Sequence, residues 1–211
     1  NMKKQKFFKF FNNNLMDVEN FFVNETNNKA FEMITSNIIF DTIILNGPNK
    51  SGKSHLANIW KENNNAILYK NNLEKILLIK KNLIIDDLFL NLNEENVFHL
   101  INHCKNNKLK ILITTNVNIN KYNFNLKDLH SRLKTFHYVS IEKPDDEILL
   151  NVLTKLLIEK QFVIKNKSIF DFLLKRVNRT YQDIYEIVKK MDTLSSEKKR
   201  QLTIPLIREL L

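Results

Sequence analysis

Only two glycines occur in the 211 residues of this chain, and both stand in one stretch, Gly47-Pro48-Asn49-Lys50-Ser51-Gly52-Lys53-Ser54. Glycine tolerates positive φ and lets backbone approach other groups closely, so a chain this poor in it reserves those properties for one place. The stretch matches G-x-x-x-x-G-K-[ST] at every fixed position. Before it, Thr42-Ile43-Ile44-Leu45 reads as a buried strand; after it, His55 to Glu62 carries Leu56, Ile59 and Trp60 at helical spacing. A strand, a tight loop and a helix in that order aim backbone N–H groups and a helix N-terminus at a polyphosphate. Lys53 then bridges the outer phosphates, the Ser54 hydroxyl ligates Mg²⁺, and Gly47 to Gly52 with His55 complete the wrap. An ordinary polar turn is the alternative, but it leaves the flanking strand and helix unexplained.

A chain of this length, 43% hydrophobic, can bury the core of one ordinary domain or of a larger one with a small appendage. Its single cysteine, Cys104, excludes an internal disulfide framework and fits a reducing, cytoplasmic setting, with core filler as its expected role. No apolar run is long enough to span a bilayer, so no membrane partner is expected. The formal charge of +10 is uneven: residues 47–143 hold 15 Lys/Arg against 8 Asp/Glu, and residues 144–211 hold 13 against 10. A basic nucleotide-binding segment suits anionic ligands, although a general bias toward Lys and Asn gives the same totals.

Residues 1–16 read as a flexible Lys/Phe/Asn-rich arm, because Phe7, Phe8, Phe10 and Phe11 follow neither a helical nor a strand period. Such aromatics pack on their own domain or dock into a groove on another protein. Phe21-Phe22-Val23 suggests an aromatic turn before a helix starting near Asn27 or Asn28, placed to cover a planar ligand. Ala66 to Tyr69 reads as a second strand, and Leu73 to Lys81 is ambiguous between helix and strand. Leu83-Ile84-Ile85-Asp86-Asp87 is the second strong signal, since paired carboxylates ending an apolar strand form the Walker B pattern. Asp86 is expected to hold Mg²⁺ and Asp87 to orient or deprotonate a water.

A helix follows from about Glu94, on which His99 and His103 lack the further ligands that a metal site requires. Ile111 to Asn116 is a fourth apolar run with a polar end, where the Asn116 amide either contacts a γ-phosphate or the lytic water, or caps a turn. Asp128-Leu129-His130-Ser131-Arg132-Leu133 precedes a fifth strand at Phe136 to Val139. After Pro144 acidic residues open a helix with apolar positions at 3.6-residue spacing; helices at Ser168–Val177, at Tyr181–Met191 and from Thr203 complete a bundle. The expected fold is α/β, a five-stranded parallel P-loop NTPase sheet over residues 17–143 with a C-terminal helical lid subdomain over 144–211.

This order of signals resembles the AAA+ ATPases, within them the branch of the replication initiator DnaA, and is sharpest toward the Hda-type regulatory inactivators of DnaA. Asn20-Phe21-Phe22-Val23 with Asn27, the run Gly47 to Trp60, Ser131-Arg132-Leu133 and Leu202-Thr203-Ile204-Pro205 carry it. The resemblance implies that Asn116 is the sensor 1 residue, that Phe22 and Val23 lie near adenine, and that Arg132 is an arginine finger acting on a neighbour's γ-phosphate. Such a finger is worth about 10³ to 10⁵ in rate, whereas a surface ion pair by the same arginine is worth about 0–1 kcal/mol. Two positions depart from the family. Gln182 stands where the lid has its sensor 2 arginine, with Arg179 one turn earlier as the substitute, and Lys50 stands where many relatives have glycine.

The resemblance also implies a peptide that docks into the replication sliding clamp, and Gln5, Phe8 and Phe10 match its Gln-first, apolar fourth and sixth pattern. It further implies ADP or ATP with Mg²⁺ as ligands, DnaA and the clamp as partners, contact with DNA at most indirectly, and pairing of copies of the chain. The expected function is regulation of replication initiation by promoting hydrolysis of DnaA-bound ATP, with at most weak ATPase activity of its own. A helicase loader resembling DnaC or the IstB-like ATPases shares this core and is the alternative.

Overall fold

The computed structural model describes residues 21, 23–36, 40–90, 92–162, 168–198 and 207. Gln5, Phe8, Phe10, Phe22, the arm over 1–16 and the segment opened by Thr203 lie outside them. Thirteen elements follow one another among the described residues. They are α1 (Asn28–Thr35), β1 (Thr42–Asn46), α2 (Lys53–Asn63), β2 (Ile67–Leu68), α3 (Leu73–Leu77), β3 (Leu83–Ile85) and α4 (Glu94–Asn106). After these come β4 (Ile111–Thr115), α5 (Lys127–Leu133), β5 (His137–Ser140), α6 (Asp146–Glu159), α7 (Ser168–Leu174) and α8 (Tyr181–Lys198).

The five strands make one sheet in the order β2-β3-β4-β1-β5, and every pairing is parallel. Apolar runs without polar alternation are what such strands require, because helices cover both faces. Successive strand residues accordingly enter opposite cores. Ile44, Leu83, Ile85, Ile111 and Ile113 pack with Val97, Leu100, Ile101 and Cys104 of α4 and with Leu129 and Leu133 of α5. Ile43, Leu45, Ile84 and Leu112 pack on the other face with Ala30 and Ile34 of α1 and with Leu56, Ala57, Ile59 and Trp60 of α2. Burial of each such branched side chain contributes about 1.5–3 kcal/mol. Cys104 is 1% exposed, and burial pushes its thiol up to about 12.

The C-terminal helices have their own core, in which Leu149, Leu153, Leu156 and Leu157 of α6 meet Ile169 and Leu173 of α7, Ile184, Ile187, Val188 and Met191 of α8, and Ile207. Helix α6 begins where the acidic run predicts: Asp145 is its N-cap, and its Oδ1 accepts the Ile148 N–H at 2.8 Å. The remaining boundaries differ from expectation by less than a helix. Leu73 to Lys81 resolves into the short helix α3; α7 ends at Leu174 rather than Val177, and α8 runs on to Lys198 rather than ending at Met191. None of the described helices is long and apolar enough to cross a membrane.

Candidate functional site

In an open parallel sheet, ligands sit beyond the carboxyl ends of the strands, and here three adjacent ends converge. The loop Gly47–Gly52 leaves β1, Asp86 and Asp87 leave β3, and Asn116 leaves β4, which lies between them in the sheet. The Gly47 N–H donates to the Thr115 carbonyl at 3.0 Å and so ties the loop to β4. Gly52, at φ 95°, is the N-cap of α2 and turns the chain into the helix. A Cβ on Gly52 would lie 2.9 Å from the Phe21 ring; one on Gly47 would lie 2.9 Å from Ser51 Oγ and 3.0 Å from Ile141 Cβ. Each glycine therefore answers a close approach, and Gly52 a left-handed turn as well. Lys50 takes φ 63° without being glycine.

Lys53 is the first residue of α2 and is buried. Its Nζ donates to the carbonyls of Gly47 at 2.9 Å and Pro48 at 2.8 Å, which spans the loop. Burial lowers its pKa, and the nearby Asp87 and Asp86 carboxylates act in the opposite sense. Ser54 Oγ donates to Asp86 Oδ2 at 3.0 Å, while Thr114 Oγ1 donates to Asp86 Oδ1 at 2.5 Å and accepts the Asp87 N–H at 2.7 Å. Asp87 itself has φ 54°. Asn116 Nδ2 donates to Asn49 Oδ1 at 2.8 Å, so the end of β4 also touches the loop. Ser51 Oγ is buried and has no hydrogen-bond partner among the described residues.

These groups line one cavity of about 780 Å³, which α6 and α8 close from the opposite side with Ile148, Val152, Lys155, Leu156, Tyr181, Gln182 and Tyr185. One wall is aromatic: Phe21 stacks on Phe31 at 5.7 Å and meets His55 edge-on at 5.4 Å. Tyr181 of the lid is 3% exposed, and burial is the main cause of its raised pKa, with the Thr26 side chain acting in the opposite sense. A cavity with a basic loop, two carboxylates and an aromatic wall has the chemistry to take a charged, partly planar ligand. The donor set fits a divalent cation too, since Ser54 Oγ and Asp86 Oδ2 already share a bond beside the phosphate loop.

Among the residues singled out from sequence, Asn49 to His55, Asp86, Asp87, Asn116 and Gln182 line this cavity, and Gly47 and Pro48 hold Lys53 through their carbonyls. Three others lie elsewhere. Val23 is 38% exposed and lines no part of the cavity, whose aromatic wall is Phe21. Arg179 does not reach it either, because its Nε is 3.2 Å from Asp146 Oδ1 at the start of α6. Arg132 is on α5 with its guanidinium 5.1 Å from the centroid of the Phe98 ring, away from the chain's own cavity. Sequence reasoning set the Phe21-Phe22-Val23 turn over a planar ligand but named Phe22 and Val23 within it rather than Phe21, and it missed Thr114, Tyr181 and Tyr185. For Thr114 the available signal was a polar residue entering an otherwise apolar strand before its end.

The model of the Hda lid domain matches residues 146–211. Among curated proteins, one described as an uncharacterized protein of Haemophilus influenzae is 27% identical over 116 residues, 54% of this chain; the match spans 50% of that relative's length. Domain III of the replication initiation protein DnaA from Thermotoga maritima superposes with a TM-score of 0.76 at 18% identity, covering 94% of this chain and 96% of that one. AMPPCP-bound DnaA from Aquifex aeolicus superposes with a TM-score of 0.67 at 20% identity, covering 88% and 67%. The sheet thus has the P-loop fold of these DnaA structures, and residues 146–211 resemble the Hda lid domain.

Proposed function

We propose that this protein binds ADP or ATP in the cavity between sheet and lid and regulates replication initiation in the cytoplasm. In this reading it acts with the sliding clamp to promote hydrolysis of DnaA-bound ATP. The convergence of the Gly47–Ser54 loop, Asp86 and Asn116 on one cavity is the observation that carries the nucleotide half of the proposal. Lys53 would bridge the outer phosphates, and the Asn116 amide would exchange Asn49 for a terminal phosphate. Ser54 and Asp86 would hold Mg²⁺, which supplies charge neutralisation on the phosphates. Asp87 would orient water for whatever hydrolysis the chain performs itself.

The regulatory half rests on Arg132. An arginine that does not line its own cavity suits a group acting on another subunit's γ-phosphate, and the resemblance of Ser131-Arg132-Leu133 to the finger segment of Hda-type proteins supports that reading. Gln5, Phe8 and Phe10 are the residues proposed for clamp docking. We expect clamp-loaded DNA and this protein to accelerate ATP turnover by DnaA, and Arg132→Ala to lower that acceleration by about 10³-fold or more. Equal stimulation by wild type and mutant would rule the mechanism out. Turnover by the chain alone, stimulated by single-stranded DNA and dependent on Asp87, would instead support helicase loading.

A further inference from the structure

Among the described residues, helix α8 lines the cavity with Tyr181, Gln182 and Tyr185 and brings no cation to it. Gln182 faces the cavity but is neutral, and its Nε2 donates to Glu186 Oε1 at 2.6 Å. Arg179 is paired with Asp146 outside it. On α6, Lys155 lines the cavity with its own counter-charge beside it, Glu159 at 3.9 Å. Among the described residues a further cation at this boundary comes from the loop. Lys50 is exposed, sits three residues before Lys53, and extends its Nζ to 5.7 Å from the centroid of the Tyr185 ring on α8. Lys50 and Tyr185 line the same cavity as Lys53.

A lysine in this place is not there for the backbone's sake. At φ 63° an L side chain is strained and glycine is not, as also at Lys108 and Gln161, so the conformation itself does not call for a lysine. An exposed contact with an aromatic face is a weak hold, and a polyphosphate is a far stronger partner for the same charge. We infer that Lys50 is a second phosphate-binding cation, supplied by the loop in place of the arginine that α8 lacks. Its ammonium rests on Tyr185 until a nucleoside triphosphate enters, then moves to the outermost phosphate. Lys50 thereby sets the preference for triphosphate over diphosphate and releases the lid contact when the third phosphate is present. This inference rests on the nucleotide reading of the cavity.

The test is calorimetric titration of the full chain with ADP and with a non-hydrolysable ATP analogue in Mg²⁺, for wild type, Lys50→Gly and Lys50→Arg. Losing a charge-assisted contact to the terminal phosphate should weaken the triphosphate by about tenfold or more, with a smaller change for ADP. Lys50→Arg should keep most of the wild-type preference. Lys50→Gly relieves the positive φ, so its unliganded melting temperature should rise while its triphosphate affinity falls, which separates ligand contact from loss of structure. Wild type binding both nucleotides, with Lys50→Gly changing the two affinities equally or not at all, overturns the inference alone. Wild type binding neither overturns the reading of the cavity and the inference with it.

Discussion

Thr114 shows how much of the site depends on a single hydroxyl. It is fully buried, donates to one carboxylate oxygen of Asp86 and accepts the N–H of Asp87, so it holds both acids of the β3 end against β4. Thr114→Val keeps the shape and leaves that N–H and that carboxylate oxygen without their partner. We expect a loss of about 1–3 kcal/mol, read as a lower urea midpoint at unchanged slope. The motif residues themselves were legible because their types have few other uses: glycines in a glycine-poor chain, a lysine before serine, paired aspartates ending an apolar strand. Phe21 was not singled out within its turn, because three apolar residues in a row give no period by which to choose one. Nor was the fate of Arg179 legible, since it depends on Asp146 lying across the fold at the head of α6.

The connection from β1 to α2 tests the same ideas on a larger scale. Gly47→Ala would drive a methyl group against Ser51 Oγ at 2.9 Å and Ile141 Cβ at 3.0 Å, and the Ile141 backbone, just beyond the end of β5, has little room to withdraw. Overpacking of this kind costs about 1–3 kcal/mol, so the variant should melt below wild type in thermal denaturation followed by circular dichroism. Strands were the most legible elements because burial on both faces demands uninterrupted apolar runs, and β1, β3 and β4 are such runs. Helix ends were less so. The capping aspartate of α6 is visible in the chain, whereas α8 passes Met191 with no glycine or proline to mark where it should stop.

At the scale of the whole molecule, ionisation above neutrality should act on the fold in one direction. Cys104 is pushed up to about 12 from 9.0, and Tyr138, Tyr181 and Tyr185 are all raised from 10.0, mainly by burial. Above about pH 9 the unfolded chain gives up these protons before the native one does, so the native state binds more protons and stability falls as pH rises. Lys53 opposes this, because its lowered pKa lets the folded chain release a proton that the unfolded chain keeps up to 10.5. With four groups against one, we expect the urea midpoint to hold through pH 8 and to decline between about pH 9 and 12. A midpoint that rose across that interval would mean Lys53 outweighs the others.

The two-residue length of β2 has a consequence for how the chain behaves in company. A sheet edge recruits foreign strands by offering a ladder of open amide and carbonyl groups, and Ile67–Leu68 offers scarcely one rung. Exposed Lys70, two residues beyond that rung, adds a charge, so sticking edge to edge is discouraged where an apolar Leu68 would otherwise invite it.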